Sequence, residues 1–395
     1  MKLMVRAAVL VMLIGGTASA QRLEFVGKVP VSGTADTVRP AGDPRYIAVS
    51  ALTYSANAAT LDVLDLQQTK VTTVQLSRTM LMNKFGHWDS RLGRSMPPEG
   101  ELVRYDGNRV GMYLADNVLV LPRRHWYAEI DLATGRLVKS VVVAALDDRQ
   151  DLHFIGADVG RDAAWFYVER YDSGRNAKGG HTHGQSEVAF RRVDLRSFAV
   201  TDEVTVTQPG RRMRSGYEDH MMIHHASDFS HFAIVEYDEA DLHITPAPSV
   251  YIIDPYAKTS FSVPALDTKY GVAFSRDGKY AYLASARVGT IARVDLAAQK
   301  IDKRVAGPAL THHAIVSPNG SKLFVIGSSN KYSVYDLPAL DHRTDLAHAP
   351  EVAPGAQQLF GGGIGSLDDR FFVMRDAMHK DYSPSHVVVI AKLVD

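Results

Sequence analysis

The 395-residue sequence contains no cysteine. That excludes disulfides, thiolate metal sites, a cysteine nucleophile, thioether-linked haem or quinone, and a lipidated N-terminal cysteine. It also lacks an excess charge of either sign, with 44 Lys and Arg against 44 Asp and Glu. Nucleic-acid binding calls for a basic face, so none is expected. No apolar run beyond the first twenty residues is long enough to cross a bilayer, so no membrane span is expected there. Without covalent staples the protein must hold together by packing alone, which a single large domain can do.

The first twenty residues, "MKLMVRAAVLVMLIGGTASA", are of another kind. Lys2 and Arg6 make a basic start, Ala7–Ile14 an apolar run, and Ala18-Ser19-Ala20 a small-residue cleavage site. Residues 1–20 are expected to be a signal peptide cut before Gln21, which makes the remainder periplasmic or secreted. Loss of Lys2 and Arg6 leaves that remainder slightly acidic.

What the chain does have is a repeat. "ATLDVLDLQQTKVTTVQL", "WYAEIDLATGRLVKSVVV", "AFRRVDLRSFAVTDEVTV", "SVYIIDPYAKTSFSVPAL", "TIARVDLAAQKIDKRVAG" and "KYSVYDLPALDHRTDL" share one plan. A β-rich run ends in Asp65, Asp131, Asp194, Asp254, Asp295 or Asp336, and a turn and a second strand follow. A carboxylate opening a tight turn accepts backbone N–H bonds, which is a structural role. Upstream, "YGVAFSRDGKYAYLAS" and "HHAIVSPNGSKLFVIG" each read as a hairpin around Asp-Gly or Asn-Gly. Asp254, Asp295 and Asp336 recur at intervals of 41 residues, the length of a four-stranded propeller blade. The first three aspartates are spaced more widely, as in blades with long loops. Alternating Val, Ile and Tyr argue against a helical solenoid.

The start "RLEFVGKVPV" is a fourth strand without a third, and the end "SHVVVIAKLVD" a third without a fourth. Pairing them closes a ring and removes the free edges. The expected fold is all-β, a single seven-bladed β-propeller over residues 21–395. The "S-x-D-G-K-x-x-Y-L … V-D-L" pattern resembles the YVTN-type repeat of bacterial seven-bladed propellers. More distantly it is similar to proteins like the quinoprotein amine dehydrogenase β-chain. Blades five and six match it well, over about 80 residues, a two-blade length. The resemblance implies an architecture and a partner subunit in a redox assembly. It carries no chemistry of its own.

With strands a to d running outward, one rim has terse turns such as "LQQT", "LATG", "RDG" and "PNG". The opposite rim has the long segments 77–100, 170–187, 207–220, 237–249 and 375–386. Long loops on a rigid scaffold are where binding concentrates. They carry His87, Trp88, His181, His183, His243, His379 and Tyr382. "GGHTHG" sets His181 and His183 two apart on a Gly-flanked loop, a pattern suited to one metal or to none.

"YEDHMMIHHASDFSHF" (217–232) has His220 and His224 at the spacing of a helical metal motif. Aligned with its sister repeats, residues 219–226 are instead an innermost strand. Four residues of strand span about 13 Å, so these two imidazoles cannot share a metal. His224 and His225 fall in core columns, and His231 in a structural or surface position. His220 falls in the column of Lys269 and Thr311, beside Tyr270, His312 and His313 of other blades. Asp36, Glu101, Asp151 and His153 are placed nearby, around the mouth of a central channel.

Two functions compete. In the first, the looped face binds a small molecule, an anionic glycan or a partner protein subunit. A divalent metal (Zn, Mn or Ca) would be held by His220, His312 and His313 with help from Asp36 or Glu101, or by His181 and His183. In the second, the protein is a lyase or hydrolase on a uronate-type sugar. Arg211, Arg212 and Arg214 would neutralise the carboxylate, with His220, His312, Tyr270 or Tyr217 as acid and base. His153 completes the expected binding set. A metal-dependent lactonase ranks lower, since Asp36, Glu101 and Asp151 are the only obvious acids at the channel.

Overall fold

Where strands are buried on both faces, apolar residues run on rather than alternate. Arg109–Ala115 illustrates this: every residue after Arg109 is buried. Val110, Met112 and Leu114 pack toward the sheet before it, and Tyr113 and Ala115 toward the sheet after it. The core is therefore a series of apolar wedges between neighbouring sheets. The computed structural model describes residues 22–32, 39–41, 43–116, 121–158, 160–171, 185–207, 219–238, 249–264, 268–285, 289–308, 311–317, 319–327, 331–347, 360–363, 371–375 and 387–394.

Among these residues there are seven antiparallel sheets of four or five strands. The fold is an all-β propeller. The inner strands are Arg39–Ala41, Glu99–Tyr105, Gln150–Asp158, Asp219–His225, Thr268–Phe274, Thr311–Val316 and Phe360–Gly363, here taken as blades one to seven. Blade two's inner strand touches those of one and three, blade five's those of four and six, and blade seven's those of six and one. Between blades three and four, Gly156 lies so close to Phe229 that a Cβ would sit 2.8 Å from its ring. The last sheet closes as expected. Arg22–Pro30 pairs antiparallel with Val387–Val394, from Arg22 opposite Val394 to Pro30 opposite Val387.

The turn-face aspartates do what a turn carboxylate does. Asp65, Asp131, Asp194, Asp254 and Asp295 each accept backbone N–H bonds from the residues just after them. Asp336 takes the Lys322 ammonium. Four residues after each aspartate the chain enters the left-handed region, at Thr69, Gly135, Phe198, Lys258, Gln299 and Leu340. Only one of these is glycine, which is why the sequence does not advertise the shared geometry.

Segment 77–100, expected as loop, contains structure. The helix Arg78–Phe85 is capped by Ser77, whose Oγ accepts the Met80 N–H at 3.2 Å. A small hairpin follows, His87–Asp89 paired with Arg94–Met96. Asp89 caps its turn by accepting the N–H groups of Arg91 and Leu92, and Gly93 takes a positive φ. Phe85 packs edge-on against Trp126, which fastens the helix to blade two.

Candidate functional site

On the long-loop rim of blades two and three, strand ends bring charged residues into an otherwise apolar setting. Glu99–Tyr105 and Gln150–Asp158 start at this rim, and Arg109–Ala115 and Ala163–Tyr171 end there. Arg123, 5% exposed, opens the third strand of blade two. It reaches across to the carboxylate of Asp151 in blade three and donates to the Gln150 carbonyl at 2.7 Å. Both ion-pair partners are buried, so the pair joins the two blades in a low-dielectric place.

Two residues along, on the same side of the strand, His125 is also buried. Its Nδ1 lies 2.6 Å from the Tyr113 hydroxyl, which donates to the Leu152 carbonyl at 3.1 Å. Because that hydroxyl proton goes to a carbonyl, the histidine donates from Nδ1 and presents Nε2 as a lone-pair acceptor. Nε2 is buried and has no hydrogen-bond partner among the described residues. Burial first, then the charges of Arg123 and His153, hold the imidazole's pKa down at about 3, so it is neutral at pH 7.

A pH dependence follows. Below its unfolded pKa near 6.5, the unfolded chain takes up a proton that the folded chain refuses until about 3. Stability is therefore lost as the pH falls from about 6.5 toward 3, by about 2 kcal/mol at pH 5 from this one group. His125→Gln should flatten that part of the profile in urea titrations at pH 7 and pH 5. An unchanged pH 7-to-5 difference would show that His125 already protonates in the fold.

His153 is the accessible member of the group. Its ring stacks on Tyr167 with centroids 4.8 Å apart, and its side chain is 48% exposed. Nε2 lies 3.7 Å from the Glu169 carboxylate, which also accepts the Tyr171 hydroxyl. Glu101 stands opposite Tyr113 in the neighbouring inner strand, with one carboxylate oxygen buried. Glu101 lies on one inner strand, and Asp151 and His153 on the inner strand that adjoins it. Arg123, His125, Tyr113 and Glu169 were missed. Their trace in the sequence is "RRHWYAEID", where Arg123 and His125 take alternate positions of an apolar strand.

His220, Tyr270, His312 and His313 lie within the inner strands of blades four, five and six. His220 is opposite Tyr237, and His313 opposite Ile326. The side chains of all four lie outside the described residues. So do Asp36, His181, His183, Arg211, Arg212, Arg214 and Tyr217 altogether. Among the described residues no three His, Asp or Glu side chains are grouped as a metal would need.

The His220–His224 spacing of a helical metal motif comes apart on the strand Asp219–His225. His224 and His225 are half-buried rather than fully buried. His225 bonds the Ala226 carbonyl at 2.9 Å and stacks on Phe229 at 4.3 Å. His231 stacks on Phe274, and burial lowers its pKa.

No family model matches this sequence, and no curated protein matches it. Among solved structures 1319 chains match in shape, which marks a widely used fold. One is a chain of the crystal structure of the mitotic checkpoint complex, with a TM-score of 0.53 and 11% identity over 100% of both chains. At that identity the likeness concerns the fold alone.

Proposed function

We propose that this chain is an exported binding protein whose long-loop rim, at the channel mouth, takes a small anionic molecule or glycan. The carrying observation is the group of buried charged side chains around one exposed imidazole on the long-loop rim. On the short-turn rim, five of the six repeat aspartates are occupied by the N–H groups of their own turns. On the other rim, Arg123, Asp151, His125 and Glu169 are held in buried positions beside half-exposed His153. Buried charges are costly, and strand pairing alone asks for none of them. They give His153 fixed surroundings, and a fixed, partly exposed imidazole is a ready donor to a carboxylate or sulfate.

The inner strands of blades four to six extend the same mouth with His220, Tyr270, His312 and His313. The imidazoles of His220, His312 and His313 would supply ligands for a Zn, Mn or Ca ion, whose positive charge would favour an anion. A partner subunit would cover the rim from above.

A thermal-shift panel of uronate oligosaccharides, sulfated sugars and these three metal ions tests the proposal. A true ligand at 100 times its Kd should stabilise the fold by about 2.7 kcal/mol. His153→Ala should abolish that shift. A panel without any shift sensitive to His153→Ala would overturn this assignment. Release of unsaturated uronate, seen by its ultraviolet absorbance, would replace binding by β-elimination.

A further inference from the structure

The hairpin His87–Met96 stands on the rim of blade two and takes no part in the His153 group. Trp88 on it is 63% exposed, whereas the other two tryptophans, Trp126 and Trp165, are buried. Leu92 at its tip is 52% exposed. Leu121, 54% exposed, lies on the adjoining connection, whose first residue Asp116 faces His87 at 3.4 Å. Three large apolar side chains are thus presented to solvent on one rim of one blade.

The exposed charges on the hairpin are of one sign. Its acid, Asp89, is buried and used by its own turn. Arg91 and Arg94 are exposed and form no ion pair among the described residues. Arg124 of blade two, ion-paired to the Asp116 that faces His87, is 48% exposed. The platform is also rigid. His87 is buried against Asp116, Phe85 packs on Trp126, and the Tyr54 hydroxyl bonds the Pro98 carbonyl at 2.8 Å. A tryptophan flanked by arginines on an anchored hairpin is the composition of an interaction hot spot, because the backbone that carries it has little ordering left to lose on binding.

We propose that this hairpin docks an acidic, apolar-bearing segment of a partner protein. Charge complementarity selects the acid: Arg91 and Arg94 offer bidentate donors and the hairpin exposes no carboxylate. Leu92 and Leu121 select a peptide over a sugar, since aliphatic carbon satisfies none of a sugar's hydroxyls. The inference is independent of the His153 site.

Calorimetric titration with three probes tests it: a synthetic peptide alternating Glu with Leu and Phe, the same peptide with Lys for Glu, and heparin. The acidic peptide should bind the wild type roughly tenfold tighter than its Lys counterpart, and Trp88→Ala should weaken it by roughly tenfold or more. Arg91→Glu with Arg94→Glu should reverse the preference. All three residues are exposed, so the variants should keep the wild-type melting temperature. Equal binding of the two peptides, or acidic-peptide binding indifferent to these substitutions, would overturn the proposal. Heparin binding that depends on Trp88, without acidic-peptide binding, would overturn it in favour of a glycan site.

Discussion

A chain lacking residues 22–30 should lose its cooperative unfolding transition near the wild-type temperature. Arg22–Pro30 is the outermost strand of the sheet whose other three strands come from the C-terminal end. Eight residue pairs join it to Val387–Val394. Just beyond it, Val31 packs with Ile47, Val49, Leu64 and Leu66 of blade one and with Val388 and Ile390 of blade seven. Ser32 also bonds the buried carboxylate of Asp62 through its backbone N–H and its hydroxyl. This one segment therefore ties the last blade to the first.

Its deletion exposes the edge of "VVVIAKLV", a nearly uncharged apolar strand open to pairing with another chain. The ring ends also lose their mutual burial, a loss comparable with the whole net stability of a domain, about 5–15 kcal/mol. Circular dichroism melts and light scattering should show a lowered, broadened transition and association. Adding a synthetic peptide of residues 21–32 should restore part of the transition. A deletion that melts cooperatively with the wild type would mean that the remaining sheets hold the ring unaided.

Asp151→Ala should destabilise the protein by about 3–5 kcal/mol, although it only shortens one side chain. It deprives Arg123, 5% exposed, of its carboxylate, and there is little water to replace it. Replacing both partners, Arg123→Met with Asp151→Leu, should recover most of the loss, because no buried charge is then left unmatched. Urea midpoints at pH 7 would separate the cases. If Asp151→Ala stays within about 1 kcal/mol of the wild type, the pair is behaving as a solvated surface bridge. Should the double variant be stable yet fail to bind the wild-type ligand, the pair serves the rim rather than the fold.

The repeat determined the architecture from sequence alone. The 41-residue interval, the Asp-Gly and Asn-Gly hairpins and the turn aspartates specify four-stranded sheets because each depends on residues close together in the chain. The pairing of "RLEFVGKVPV" with the C-terminal strand was also legible, since an unfinished blade at each end leaves one way to remove both edges. The strand register of "MMIHHASDF" followed from alignment with its sisters, and it dissolved the two-histidine motif.

The tertiary structure decided what no local pattern contains. Arg123 and Asp151 meet because adjacent blades face each other, and nothing near either residue names the other. Neutral His125 owes its depressed pKa to burial between blades two and three, which composition does not reveal. The helix and hairpin within 77–100 were hidden because their apolar residues are few and their fastening, Phe85 on Trp126 and His87 on Asp116, reaches across to blade two. Short-range chemistry wrote the blades into the sequence. The site arises where blades adjoin, and that adjacency exists only once the ring has formed.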